Sequence, residues 1–513
     1  MPILSWLTRD EDIRAAGRVP YRLLEEVADL SAGDPASGNM LIQGDNLDAL
    51  KALLPFYAGQ VKCIYIDPPY NTGSAFEHYD DNLEHSQWLA MIYPRLELLR
   101  EFLAEDGSIW ISIDEDEHAY LRVLCDEVFV RNCFVTTNVW QKRYAPDARV
   151  SISDAHEYIL CYTKNPKIFK ERRNLIPLSE AQTKQFKNPD KDPRGPWKAS
   201  DFTAAGYRSN QMYEITLPSG RKVKPPGGRC WRVTKEGFER FTEDNKMYYG
   251  PDGNGVPSLK RFLAEMPGMV PWTWWTHTEV GHSQEAKKEV IALFGADDSF
   301  GTPKPERLLQ RIIHIATNPG DLVLDSFLGS GTTAAVAHKM GRRYIGIEMG
   351  EHAVSHCQPR LQKVVEGEQG GISESAGWKG GGGFRFYRLG PPVFDEEGHI
   401  RANIRFPVLA AHIWFSETGA PWRKTRATPF LGIRDGRAFA LLYNGILGDK
   451  RPDGGNVLTR ATLALIRSAI AKVDSDFDGP VTIYGEQSRL TAPTLEREAV
   501  TFKQTPYDIK ARR

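Results

Sequence analysis

Two patterns of apolar residues alternate along much of the chain. The run VKCIYID (61–67) has a continuous apolar character, as strands buried on both faces of a parallel sheet have, and SIWISID (108–114), 134–140 and EYILCYTK (157–164) read as further strands. Between them, residues 86–103 set Leu89, Ile92, Leu96 and Leu99 on one helical stripe that Gly107 ends, and 117–128 forms another helix. MLIQGDNLDALKALL, from Met40, reads as strand, turn and helix. After Lys164 the rhythm stops: residues 165–290 carry KNPDKDPRGPWK, LPSGRKVKPPGGRCWR and VPWTWWTH, with no alternation of helix and strand. It resumes near Glu306 with the amphipathic PERLLQRIIHIAT, the strand DLVLDSF, the helix of GSGTTAAVAHKM and the strand RRYIGIEM.

Such alternation implies an α/β layer structure with a mostly parallel sheet. The expected organisation is an N-terminal extension (1–39) with a helical pattern over 13–30, and a first α/β half (40–164). An irregular insert (165–295), a second α/β half (296–366) and a Gly-rich connector (367–390) follow. Residues 391–513 form a small C-terminal α/β domain, with strands FALLYNG and PVTIYGE and a helix over 459–473.

The 513 residues carry a net charge of -1, which alone would not suggest a nucleic-acid partner. The distribution changes that picture. Residues 164–232 hold sixteen Lys/Arg against six Asp/Glu, whereas 77–127 hold three against fourteen. The basic stretch, in the insert, can supply phosphate contacts. Six scattered cysteines form no CxxC pair and no metal-ligand spacing with histidine, so no metal is expected. With neither a signal-peptide pattern nor a membrane-spanning run, a soluble, cytoplasmic protein is expected.

Two motifs carry chemistry. In LDSFLGSGTT (324–333) a buried strand ends at Asp325, and Gly329 and Gly331 let the backbone pass close to a ligand before a helix begins. Glu348 ends the next strand 23 residues after Asp325, where an acidic residue suits ribose hydroxyls. The spacing is not GxGxxG, which argues against a dinucleotide. In IDPPY (66–70), Asp67 sits where a buried strand ends, on the rim at which open α/β sheets bind ligands. Pro68 and Pro69 stiffen the turn; Pro69 has no N–H, which leaves the Pro68 carbonyl to accept. A carboxylate and a carbonyl together can take both hydrogens of an exocyclic amine, and Tyr70 offers a face for a base.

IDPPY and DSFLGSGTT resemble the catalytic and cofactor motifs of amino-group DNA methyltransferases, in the β-group order with a long insert between them. DAHEYILCYTKN, EVGHSQEAKKEV, FGTPKPERLLQRII and GWKGGGGFRFYRL are similar to segments of type III restriction-modification modification subunits, a resemblance spanning about Met40 to Leu389. It implies a Rossmann-like, class I S-adenosylmethionine-dependent methyltransferase fold with permuted motifs, the insert being a target-recognition domain. It implies transfer to adenine N6, with Asp67 and the Pro68 carbonyl on the amine and Tyr70 on a flipped base. Asp325, Phe327, Gly329, Ser330, Gly331 and Thr332 would cradle the methionine part and Glu348 the ribose. Asp45 resembles the acidic residue near the cofactor adenine and reads equally as a helix cap. Lys304 in TPKP resembles the segment closing over the methionine end; it also reads as a solvated loop lysine. Implied partners are double-stranded DNA, a helicase-nuclease restriction subunit and a second copy in a homodimer.

The alternative is a standalone enzyme acting on adenine N6 or cytosine N4. An RNA or protein amine methyltransferase is a further rival, though the glutamine-modifying family carries Asn where Asp67 stands. Intact motifs argue against a catalytically dead DNA-binding module. The Trp272, Trp274 and Trp275 run reads as core or as base contacts, Arg221, Lys222, Lys224 and Arg229 as a basic loop or phosphate contacts, and His156 and Glu157, in a segment resembling the family's, as a packed strand end.

Overall fold

Eleven strands join into one sheet: β1 (Arg22–Glu26), β2 (Ala32–Gly33), β3 (Met40–Gln43), β4 (Val61–Ile66), β5 (Leu103–Ile113), β6 (Phe134–Gln141), β7 (His156–Thr163), β8 (Trp274–Trp275), β9 (Leu322–Asp325), β10 (Arg343–Glu348) and β11 (Gly383–Pro392). The order is β1-β11-β3-β10-β9-β4-β5-β7-β6-β8, with β2 on β11. From β11 through β5 neighbours run parallel; β1, β2 and β7 are antiparallel to their neighbours. This computed structural model describes residues 3–71, 84–295, 300–394, 401, 404–423, 428–443 and 456–505.

Five helices flank the parallel part: α1 (Asn46–Tyr57), α2 (His85–Phe102), α3 (Glu115–Val128), α4 (Glu306–Ala316) and α5 (Thr332–Lys339). Leu50, Leu53, Leu96 and Leu99 pack on Ile64 and Ile66 of β4, while Leu308, Ile312 and Ala334–Ala337 join the cluster holding Cys63 and Tyr65. A strand covered by helices on both faces has no polar side, hence the unbroken apolar run.

β4 leads through α2 to β5 on one side, and β9 leads through α5 to β10 on the other. Yet β4 and β9 are neighbours, with Val323 opposite Cys63 and Leu324 opposite Ile64. Their carboxyl ends open the crevice that forms where chain connections diverge in an open sheet.

Two N-terminal and connector expectations are corrected. The helical pattern over 13–30 is instead two short turns, Arg9–Asp12 and Ala15–Arg18, then β1. Val19 is extended (ψ 129°) ahead of Pro20, as the residue before proline prefers, and the chain pairs with β11. The Gly-rich 367–390 is not merely a connector, because its last part is β11. Phe384 and Phe386 alternate into the core, and at Gly383 a Cβ would lie 2.4 Å from the Asp34 nitrogen.

Residues Leu175–Pro271 form a compact unit of their own, shorter at each end than 165–295. Trp197–Asp201, Ser258–Phe262 and Met247–Tyr248 make a three-stranded sheet over a core that includes Phe202, Trp231 and Leu259. Arg221, Lys222 and Lys224 are exposed, and Arg229 pairs with Asp201 at 2.7 Å. Outside this unit, Trp275 is buried in the sheet as core, whereas Trp272 and Trp274 are exposed.

In the C-terminal part, Phe430–Arg434, Arg437–Leu441, Val481–Gly485 and Val500–Gln504 form a four-stranded sheet with helix Arg460–Ala471. Helix Phe406–Thr418 shares a core with Tyr21, and the Trp422 N–H donates to the Pro55 carbonyl at the end of α1.

Behind the crevice, buried Glu306 accepts from Lys339 (2.8 Å) and Arg360 (2.9 Å), both also buried. Lys339 also pairs with Glu368, but removing Glu306 strands the buried charge of Arg360. Glu306→Ala is therefore expected to cost roughly 3–5 kcal/mol in urea unfolding, and a loss below about 1 kcal/mol would contradict the role given to it.

Candidate active site

The turn after β4 is held from several sides. Asp67 follows Ile66; the Pro69 carbonyl accepts from the Trp88 indole (2.7 Å), and Asn71 closes the turn at φ 63°, which asparagine tolerates. The Tyr70 hydroxyl donates to Asp67 Oδ1 at 2.7 Å and lies 3.1 Å from Glu157 Oε2. Lys304 Nζ donates to Asp67 Oδ2 at 2.6 Å and stands 5.1 Å from the Tyr70 ring centre. Burial raises the Asp67 carboxyl above its ordinary range against the pull of Lys304, and Glu157 raises it further. At Lys304, burial opposes the charge, but Asp67 and Glu157 outweigh it and hold the ammonium above its ordinary range.

The second turn begins where β9 ends. The Asp325 carboxylate accepts the Phe327 N–H at 2.9 Å. Burial pushes Asp325 up to about 7, while the Thr333 hydroxyl and the Phe327 N–H pull the other way. Gly329 (φ 56°) and Gly331 (φ 82°) take the left-handed conformation, and Gly331 caps α5. Glu348, ending β10, accepts the Gly329 N–H at 2.7 Å, so it braces the turn from the neighbouring strand.

Both turns line one cavity of about 1210 Å³. Asp67, Pro68, Pro69, Tyr70, Lys304, Asp325, Phe327, Gly329, Ser330 and Thr332 all line it. Gly331, Glu348 and Asp45 do not appear among its lining residues. Asp45 caps α1, accepting from the Leu47 and Asp48 N–H groups, and pairs with Arg95 at 2.9 Å. Lys304, readable as a solvated loop lysine, has a side chain only 10% exposed. Lys142 and Phe300, which the sequence did not single out, and Glu157, read there as a packed strand end, also line the cavity. For Glu157 the signal was HEY at the head of an apolar strand, where a charged residue about to be buried wants a partner.

A family profile described as DNA methylase, for N6 and N4 methyltransferases, matches residues 61–358. The chain belongs to this DNA methylase family. The match takes in both turns and the insert between them, in agreement with the resemblance read from IDPPY and DSFLGSGTT. The chain is 36% identical over 331 residues to the StyLTI Mod subunit of a type III restriction-modification enzyme from Salmonella typhimurium, covering 58% of this chain and 49% of that one. It is 33% identical over 430 residues to the probable type III HindVI Mod subunit of Haemophilus influenzae, with 72% and 56% covered. It is 31% identical over 330 residues to the type II methyltransferase M.EcaI of Enterobacter cloacae, with 63% and 69% covered. The chain thus spans about half the length of the two Mod subunits. Among its described residues no cluster of His, Cys, Asp or Glu is arranged to hold a metal ion, and no helix is long and apolar enough to cross a membrane.

Proposed function

We propose that this chain is a site-specific DNA adenine-N6 methyltransferase using S-adenosylmethionine, and the modification subunit of a type III-like restriction-modification system. One observation carries the reading: Asp67 and the Gly329–Gly331 turn follow adjacent parallel strands and open on one cavity. A buried carboxyl such as Asp325, its ionised form disfavoured, suits a cationic ligand, and the left-handed glycines suit close backbone approach. Asp325, Phe327, Gly329, Ser330, Gly331 and Thr332 would hold the methionine part, Glu348 the ribose, and Asp45 would lie toward the adenine. Bound there, the cofactor supplies a methyl group already activated on sulfur, so no covalent nucleophile is needed.

The chain's own residues do the rest. The target adenine leaves the stack, at a cost of a few kcal/mol. Asp67 and the Pro68 carbonyl accept the two amine hydrogens and turn the nitrogen lone pair outward. As nitrogen gains positive charge, the Asp67 carboxylate stabilises it. The Tyr70 ring, tethered through its hydroxyl, stacks on the base for about 1–3 kcal/mol. Asp, rather than Ser, before the two prolines favours adenine over cytosine N4.

Sequencing that detects modified bases in DNA from cells expressing the chain tests this. N6-methyladenine at one short asymmetric site is expected, and unmodified DNA would refute the reading. Double-stranded DNA, a restriction subunit and a second copy of the chain are the proposed partners. A standalone enzyme is the second reading, favoured by the fuller coverage of M.EcaI. Co-purification of a helicase-nuclease would decide between them.

Asp325 also sets a pH dependence. Its pKa, raised from 3.8 to about 7, keeps the proton in the folded chain and lowers stability as pH rises between those values. A cationic cofactor meets the carboxylate only once that proton is gone. Affinity for S-adenosylmethionine is expected to fall roughly tenfold from pH 8 to pH 6, and calorimetry should show this slope vanish in Asp325→Asn. An unchanged slope in that variant would contradict the assignment.

A further inference from the structure

Asp67 enters the reaction with both oxygens already occupied, Oδ2 by the Lys304 ammonium at 2.6 Å and Oδ1 by the Tyr70 hydroxyl at 2.7 Å. A carboxylate has lone pairs enough to accept the amine as well. Charge is the difficulty: an ammonium on Oδ2 cancels the negative charge that should stabilise the developing positive nitrogen.

Glu157 is the second anion within reach. It stands on β7, with a side chain 10% exposed, and its Oε2 lies 3.7 Å from the same Lys304 Nζ and 3.1 Å from the same Tyr70 hydroxyl. Its Oε1 is 3.4 Å from Lys142, which in turn pairs with Asp154 at 2.6 Å. Glu157 is therefore anchored from behind and open toward the two groups that occupy Asp67.

We infer that Glu157 is a positioning residue for Asp67: when the target amine arrives, Glu157 takes the Lys304 ammonium and the Tyr70 hydroxyl, and Asp67 meets the amine as an uncompensated carboxylate. The inference rests on the amino-methyltransferase reading. Lys304 Nζ, already 3.7 Å from Glu157 Oε2, needs to shift by only about 1 Å to reach hydrogen-bond distance, and no proton changes owner. In the resting chain the Lys304 ammonium favours the ionised form of buried Asp67 against the effect of burial; during transfer Glu157 keeps Lys304 from competing with the substrate.

A double-mutant cycle in the full chain tests this, using E157Q, K304M and the pair. The readout is the single-turnover rate of N6-methyladenine formation at saturating duplex and S-adenosylmethionine, alongside dissociation constants for both and the melting temperature. E157Q is expected to slow transfer about tenfold or more with binding unchanged, and to cost no more than about threefold in the K304M background, because the two side chains act as one unit. An equal loss in both backgrounds, or E157Q at the wild-type rate, would overturn the inference. Should E157Q melt early, E157D replaces it in the same cycle: it keeps the charge one methylene further back, and its loss must likewise shrink in K304M. Failure of the wild-type chain to methylate adenine would instead sink the functional reading on which the inference stands.

Discussion

Asp67→Ala is expected to lower methyl transfer by roughly 10²–10³-fold or more while cofactor affinity stays within about threefold, since the change removes an interaction made chiefly in the transition state. In the proposed reaction the carboxylate both holds the amine and faces its developing charge, and no neighbour is placed to replace it. Tyr70 and Lys304 are donors, and Glu157 lies beyond them. The fold should survive because Lys304, robbed of Asp67, still has Glu157 at 3.7 Å. The proposed cofactor contacts lie on the other turn, after β9, so isothermal titration should register little change. Turnover equal to that of the unaltered chain would remove Asp67 from the chemistry.

The second large effect concerns the insert. Excising residues 175–271 and joining 174 to 272 through a short Gly-Ser bridge is expected to abolish site choice. Duplex affinity should weaken roughly 10³-fold or more, the gap that separates specific from non-specific binding. Such a cut is feasible because Ile176 and Met269 exchange two backbone hydrogen bonds of 2.8 Å, which brings the ends of the unit together. The unit also has its own core around Phe202 and Trp231. The excised residues include exposed Arg221, Lys222 and Lys224, so the salt dependence of the residual binding should flatten. Gel shift and footprinting read both effects; a truncated chain that still marks the same site would contradict the role given to the insert.

Much of the site was legible because its two turns follow strands buried on both faces. Apart from Lys62, VKCIYI and LVLD are apolar runs that stop at a carboxylate, and such stops mark the rim of a parallel sheet. That β4 lies beside β9 was not legible from the residues alone. Cys63 and Val323 are 260 positions apart, and periodicity says nothing about which buried strand a buried strand will choose. Where long-range pairing overrode local pattern, the reading failed. β1 forms against β11, and the helical spacing over 13–30 could not reveal that partner. In β11 the glycines drew attention from the FRF alternation that buries Phe384 and Phe386. Glu157 read as a strand end, and Lys304 as the segment over the methionine end or a loop lysine, with neither pointing to Asp67, for a related reason. Each is defined by the other and by Asp67, from elements 147 residues apart, and an ion pair across a sheet rim leaves no local signature. Asp45 shows the opposite case, where a purely local pattern, a helix cap, was visible in DNLDALKALL and is formed.

The most direct test of the whole account is a crystal structure of the chain with S-adenosylhomocysteine and a target duplex. The account predicts an adenine out of the stack against Tyr70, with its N6 hydrogen-bonded to Asp67 and the Pro68 carbonyl. It also predicts the cofactor sulfur on the Gly329–Gly331 turn, in line and one methyl transfer away from that nitrogen. A sulfur bound elsewhere, or a target amine out of reach of Asp67, would contradict it.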